Sequence, residues 1–170
     1  MDATTGAHNR RVAGEGDPKK TLILAPAWSP DGHEIAFVVR DLFSGPSSVW
    51  IVNRDGSEPH QVANLTRDDG YDYVSWRPDG VALTLSSSGG AALLDLTTAT
   101  MTAIPHQAGA LTWFGGSKRV LYYRPLERGQ YRLATGTLDG IDLRPHGDVA
   151  HIPPQDVFPQ GYGMAAVCQK

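Results

Sequence analysis

The 170-residue chain holds one cysteine, Cys168. A single thiol excludes an internal disulfide framework and a four-cysteine zinc site. It also lacks a basic excess: 15 Lys+Arg face 18 Asp+Glu, for a net charge of −3. A nucleic-acid binder that works through bulk charge shows the opposite balance, so none is expected as a partner. No apolar stretch approaches the 18 residues of a spanning helix, so no membrane span is expected. The first residues, Met1-Asp2-Ala3-Thr4-Thr5-Gly6, carry neither a basic nor an apolar signal region. The expected compartment is the cytoplasm if the chain is complete as written, and the periplasm or exterior if it is part of a longer precursor. Charged residues, at 19%, are also sparse.

Catalytic and metal motifs are missing as well. There is no Gly-x-Ser-x-Gly elbow, phosphate loop or dinucleotide fingerprint. None of the six histidines stands in a His-x-x-x-His or His-Glu-x-x-His pair. His146-Gly147-Asp148…His151 comes nearest and offers no fourth ligand. Asp68-Asp69-Gly70-Tyr71-Asp72 gathers three carboxylates but departs from the twelve-residue calcium loop and has no closing Glu. No catalytic residue, metal or cofactor is expected. Cys168 reads as an inert thiol rather than a nucleophile.

Breakers and repeats are what the chain has. Its 19 glycines and 12 prolines favour many short strands and turns over long helices. Trp28-Ser29-Pro30-Asp31-Gly32-His33-Glu34-Ile35-Ala36-Phe37 aligns without a gap on Trp76-Arg77-Pro78-Asp79-Gly80-Val81-Ala82-Leu83-Thr84-Leu85. Weaker copies start at Trp113 and near Val157. Their spacing lies around the ~40–45 residues of a four-stranded propeller blade. Each copy reads as a strand ending at Trp, a tight turn and an alternating strand. Pro presets φ, Asp holds its own backbone, and Gly takes the positive-φ position. A second hairpin follows, as in Val49-Trp50-Ile51-Val52-Asn53 before Arg54-Asp55-Gly56-Ser57. An unrelated β-sandwich with Pro-Asp-Gly turns would not repeat the whole unit.

Trp28-Ser29-Pro30-Asp31-Gly32…Ile35-Ala36-Phe37 with Val49-Trp50-Ile51-Val52-Asn53-Arg54-Asp55-Gly56 resembles the TolB-type, WD40-like β-propeller repeat. The likeness covers about residues 24–168. It implies an all-β fold of four-stranded antiparallel blades at 24–66, 73–107 and 109–147, with partial blades at 1–14 and 152–168. Such repeats occur in TolB, in propellers of prolyl-oligopeptidase-like serine peptidases and in many other bacterial proteins, so function is implied only loosely. If the piece at 1–14 completes the one at 152–168, three complete blades and one deficient blade fall short of most closed rings. The chain is then a fragment, a half that pairs with a second copy as a homodimer, or a small open ring.

With the four strands of a blade lettered A to D in chain order, the A–B and C–D turns of a propeller share one face and the longer B–C and D–A loops the other. Asp31, Asp55, Asp79 and Asp139 therefore read as turn-forming. Trp28, Pro30, Asp31, Gly32, Trp76, Pro78, Asp79, Gly80 and Trp113 read as structural repeat positions. On the long-loop face, Arg40, Phe43, Arg67, Asp68, Asp69, Tyr71, Asp72, Arg124 and Arg128 are the candidate binding residues, because loops on a rigid scaffold carry most contacts. An ordinary solvated loop face has the same composition. The expected function is a non-catalytic scaffold for a protein or peptide partner. The alternative is the gating propeller of a serine hydrolase whose catalytic domain lies in other sequence.

Overall fold

A Pro-Asp-Gly turn joins the first two strands in each of two blades. In a computed structural model, described at residues 21–42, 46–66, 70–87, 90–104, 111–114, 118–125, 131–138 and 144–149, Gly32 and Gly80 take φ of 72° and 76°. Only glycine adopts these angles without strain. Asp31 Oδ1 accepts the His33 N–H at 3.0 Å, and Asp79 Oδ1 accepts the Val81 N–H at 3.2 Å. The residue after each Trp anchors the Asp from the other side. Ser29 Oγ–H donates to Asp31 at 2.6 Å, whereas Arg77 Nε–H reaches Asp79 at 2.8 Å.

Twelve strands are described, in three antiparallel four-stranded sheets. The first sheet holds β1 (Thr21–Trp28), β2 (Glu34–Asp41), β3 (Ser48–Asn53) and β4 (His60–Asn64). The second holds β5 (Tyr73–Trp76), β6 (Ala82–Ser86), β7 (Ala91–Asp95) and β8 (Thr100–Ile104). The third holds β9 (Leu111–Phe114), β10 (Arg119–Pro125), β11 (Tyr131–Gly136) and β12 (Arg144–Val149). Each sheet is a simple meander, with neighbours in sequence paired in space. The fold is all-β, built of propeller blades. The proposed partial blades at 1–14 and 152–168 lie outside the described residues.

Strand position explains the burial. Ile35, Ala36, Phe37 and Val38 of β2 are all buried, as is every residue of β6. A second strand buried on both faces reads as a continuous run rather than an alternation. The outer strands β4 and β8 are mostly exposed, with polar Thr100 and Thr102 in β8. Strand β1 breaks its register between Leu24 and Ala27, where Ala25 takes φ 47° and Pro26 has no N–H to pair.

The core lies between blades. Ala36, Val38, Val49 and Ile51 of the first sheet pack with Val74, Trp76, Leu83 and Leu85 of the second. Ala91, Ile104, Leu111, Trp113, Val120 and Ala134 form the corresponding cluster between the second and third sheets. Burying each large side chain contributes about 1.5–3 kcal/mol, so the junctions supply much of the stability.

Candidate functional site

The two ends of the blades are distinct. At one end the C–D turns bond to the A–B turns: Arg54 N–H donates to His33 C=O at 2.8 Å, and Leu96 N–H to Val81 C=O at 3.0 Å. Asp55 accepts the Ser57 N–H and Asp95 the Thr97 N–H, at 2.9 and 2.8 Å. Asp95 was not singled out from the sequence, because its turn reads Asp-Leu-Thr-Thr without glycine. A cleft of about 320 Å³ opens between the first two Pro-Asp-Gly turns, lined by Ser29, Pro30, Asp31, Trp76, Pro78 and Asp79. Its aspartates already hold turn backbone. The Ser29 hydroxyl, then the His33 N–H, keep the Asp31 carboxyl below the usual range; Arg77 does the same for Asp79.

The opposite end carries the candidate loops. Arg40, late in β2, forms an ion pair with Asp72 and reaches the Gly70 carbonyl at 3.4 Å. Strand β2 of the first blade is thereby tied to the segment entering the second. Burial pushes the Asp72 carboxyl up, and the Arg40 charge pulls it partly back. Burial, with help from the Asp72 charge, also raises Tyr73. Leu65 N–H bonds to Ser47 C=O at 2.8 Å and the Leu65 side chain is fully buried, pinning the start of the same connection. Leu42, next to these groups, is 46% exposed.

Of the sequence candidates, Arg40 and Asp72 come together and neutralise one another. Tyr71 is buried in the core cluster rather than displayed. Arg124 pairs through its backbone with Arg132. Phe43, Arg67, Asp68, Asp69 and Arg128 lie outside the described residues, as does Asp139. Exposed Leu42 was missed; its position between Asp41 and Phe43, just past the strand end, was the available signal.

The tryptophans of the repeat sit where blades meet. Trp76 Nε1–H donates to the Ala27 carbonyl at 3.0 Å, joining the second blade to the first strand of the one before. Trp113 is equally buried in the next junction.

Over 69 residues the chain is 38% identical to the Tol-Pal system protein TolB of Alcanivorax borkumensis, a match covering 39% of this chain and 15% of that one. A structure of a putative TolB from Agrobacterium tumefaciens superposes with a TM-score of 0.54 at 16% identity, over 76% of this chain and 63% of that one. The chain carries a TolB-like β-propeller fold. No family model matches. A prolyl endopeptidase structure superposes at a TM-score of 0.58 and 14% identity, over 81% of this chain and 23% of that one. The TolB-like chain thus spans a small part of the curated relative and of the peptidase.

Proposed function

We propose that this TolB-like chain is a non-catalytic binding module that presents its B–C and D–A loops to a protein or peptide partner. The observation that carries this reading is the exposed Leu42 beside the Arg40–Asp72 pair. An apolar side chain held at a braced blade junction is a suitable anchor, because little ordering cost remains to be met on binding. Phe43, Arg67 and Arg128 remain further candidate contacts in the proposal, on sequence grounds alone. Membership of the curated relative in the Tol-Pal system supports a protein partner.

The test is site-specific photocrosslinking. A photoreactive residue at position 42 is expected to give a discrete adduct that Phe43→Ala weakens. The same residue at position 57, on the turn face, is expected to give none. Equal labelling at both positions would reject the loop face. The likeness to a prolyl endopeptidase supports a second reading, as the gating propeller of a serine hydrolase. A reading frame continuing past Lys170 into a Gly-x-Ser-x-Gly segment would favour it.

A further inference from the structure

The last strand of each sheet forms one of its edges, where alternate N–H and C=O groups point away from the blade. Such an edge pairs with a passing strand unless charge, proline or a bulge blunts it. Two of the three are blunted. Strand β12 reads Arg144-Pro145-His146-Gly147-Asp148-Val149, and its register with β11 slips between Arg132 and Ala134. Strand β4 carries an extra residue, Val62, between the pairs Trp50–Gln61 and Val49–Ala63. Strand β8 has none of these devices. It reads Thr100-Met101-Thr102-Ala103-Ile104, uncharged and without proline. All five residues pair with β7 in unbroken register, from Thr100 opposite Asp95 to Ile104 opposite Ala91. Thr100, Met101, Thr102 and Ala103 are exposed, Met101 to 40%.

A cleft runs beside this edge. Met101 and Ala103 stand opposite Leu94 and Ala92, which belong to the core between the first two blades. They therefore occupy the face of β8 turned toward the first blade. There a cleft of about 330 Å³ opens, lined by Met101 and fully buried Leu94 on one side and by Val62 and Ala63 of β4 on the other. Gln61 Nε2–H donates to Asn64 Oδ1 at 2.6 Å on the β4 side. Among the described residues, no charged side chain lines the cleft. The turn into β8 is fixed, because Asp95 accepts the Thr97 and Thr98 N–H groups at 2.8 and 2.9 Å. The edge is thus held ready and has little ordering left to do on binding.

We infer that β8 accepts an extended, uncharged peptide segment of a partner protein as a fifth strand of the second blade. Main-chain hydrogen bonds to the β8 edge supply the affinity, and alternate side chains of the segment enter the cleft beside Met101 and Val62. The occupant is a strand because this edge is regular and unblunted where the other two last strands are not. It is uncharged because the cleft offers no counter-charge, so an acidic or basic side chain there gives up water for nothing. The surface is the outer edge of a blade and not its loop end, so the inference stands independently of the loop-face reading.

Fluorescence anisotropy tests it with labelled, capped peptides of about six residues that alternate threonine with leucine, valine or phenylalanine. At least one of them is expected to bind saturably at a single site. Methylating its alternate main-chain nitrogens removes the ladder donors and is expected to abolish binding. Met101→Asp puts a charge in the cleft and Ala103→Lys blunts the edge, and each is expected to weaken binding about tenfold. Val81→Lys, at a 41% exposed position in a turn, is expected to leave binding unchanged. The urea midpoint of each variant establishes that the blades remain folded. Saturable binding by none of the peptides would overturn the inference. So would equal binding of the methylated peptide, or full affinity in both folded β8 variants. Dimerisation of the wild type that both β8 variants abolish would make a second copy the occupant and reject the partner peptide. Loss of photocrosslinking at position 42 with peptide binding intact would reject the loop face and leave this edge untouched.

Discussion

The first and second blade junctions are made from the same parts and differ in one polar group. In both, a tryptophan ending or nearly ending the first strand packs against the preceding blade. At the first junction its N–H meets the Ala27 carbonyl. At the second, Trp113 Nε1 is buried and has no partner among the described residues. The equivalent carbonyl, Ser75 C=O, accepts the Thr84 hydroxyl at 3.2 Å instead. The residue matching Thr84 in the first blade is Ala36, which has no hydroxyl to compete. The hydroxyl that Thr84 carries and Ala36 lacks thus goes with a hydrogen bond made within the blade instead of between blades. A buried orphan N–H costs about 1–3 kcal/mol, so the second junction is the weaker by that polar term.

The largest effect is expected at Trp76. Trp76→Ala removes a buried aromatic and the link to Ala27, and should cost about 3–5 kcal/mol in urea unfolding. The finer contrast comes from phenylalanine. Trp76→Phe should cost about 1–3 kcal/mol, because a hydrogen bond is lost and a carbonyl left bare. Trp113→Phe removes an N–H with no partner among the described residues, and its expected cost is at least 1 kcal/mol smaller. Equal costs for the two phenylalanine variants would show that the orphaned N–H has no energetic meaning.

The turns of the second blade give a smaller contrast. Gly80→Ala should cost about 1 kcal/mol through backbone strain alone, since an added Cβ meets no atom within 4 Å. Ala99 holds φ 54° in the next turn of the same blade, so Ala99→Gly should be neutral or slightly stabilising. Thermal melts of the pair give the opposite signs directly.

The smallest expected effect is a dependence on pH with two signs. Asp31, Asp79 and Asp95 have folded pKa values below the model-peptide 3.8, from their Ser29, Arg77 and turn N–H bonds. Their stabilisation is present above 3.8 and is lost as pH falls through the lower folded values. Asp72 is raised by burial, so stability on its account falls as pH rises from 3.8 through its folded value. Replacing Asp72 with Asn should therefore steepen the loss of stability on acidification, read from urea midpoints between pH 5 and 3. An unchanged slope would contradict the assignment to Asp72.

The sequence makes the turns and strands legible because their signals are local. Pro-Asp-Gly dictates a turn, Trp marks the strand end before it, and the apolar positions after it give the hairpin face. The relation between blades is legible only in part. Repetition of Trp28 and Trp76 signals a shared role, but not that one is exposed and the other buried, since that depends on which face has a neighbour. The loop end was hardest to read. Tyr71 lies in an Asp-rich stretch that resembles solvated loop, yet its ring turns into the core beside Leu65 and Val74. Arg40 and Asp72 come from different blades, and only the folded path brings their charges together. Thr84 against Ala36 is visible in the aligned repeats, but its consequence needs the carbonyl geometry.

The tryptophan at the end of a blade's first strand locks that blade to the one before, as Trp76 does through the Ala27 carbonyl. Hydrogen exchange of the Trp76 indole N–H, resolved by nuclear magnetic resonance, tests it most directly. This proton is expected to exchange only through global unfolding, with a free energy equal to that from urea. Exchange of Trp76 at the rate of an unfolded chain, in protein that remains folded, would contradict it.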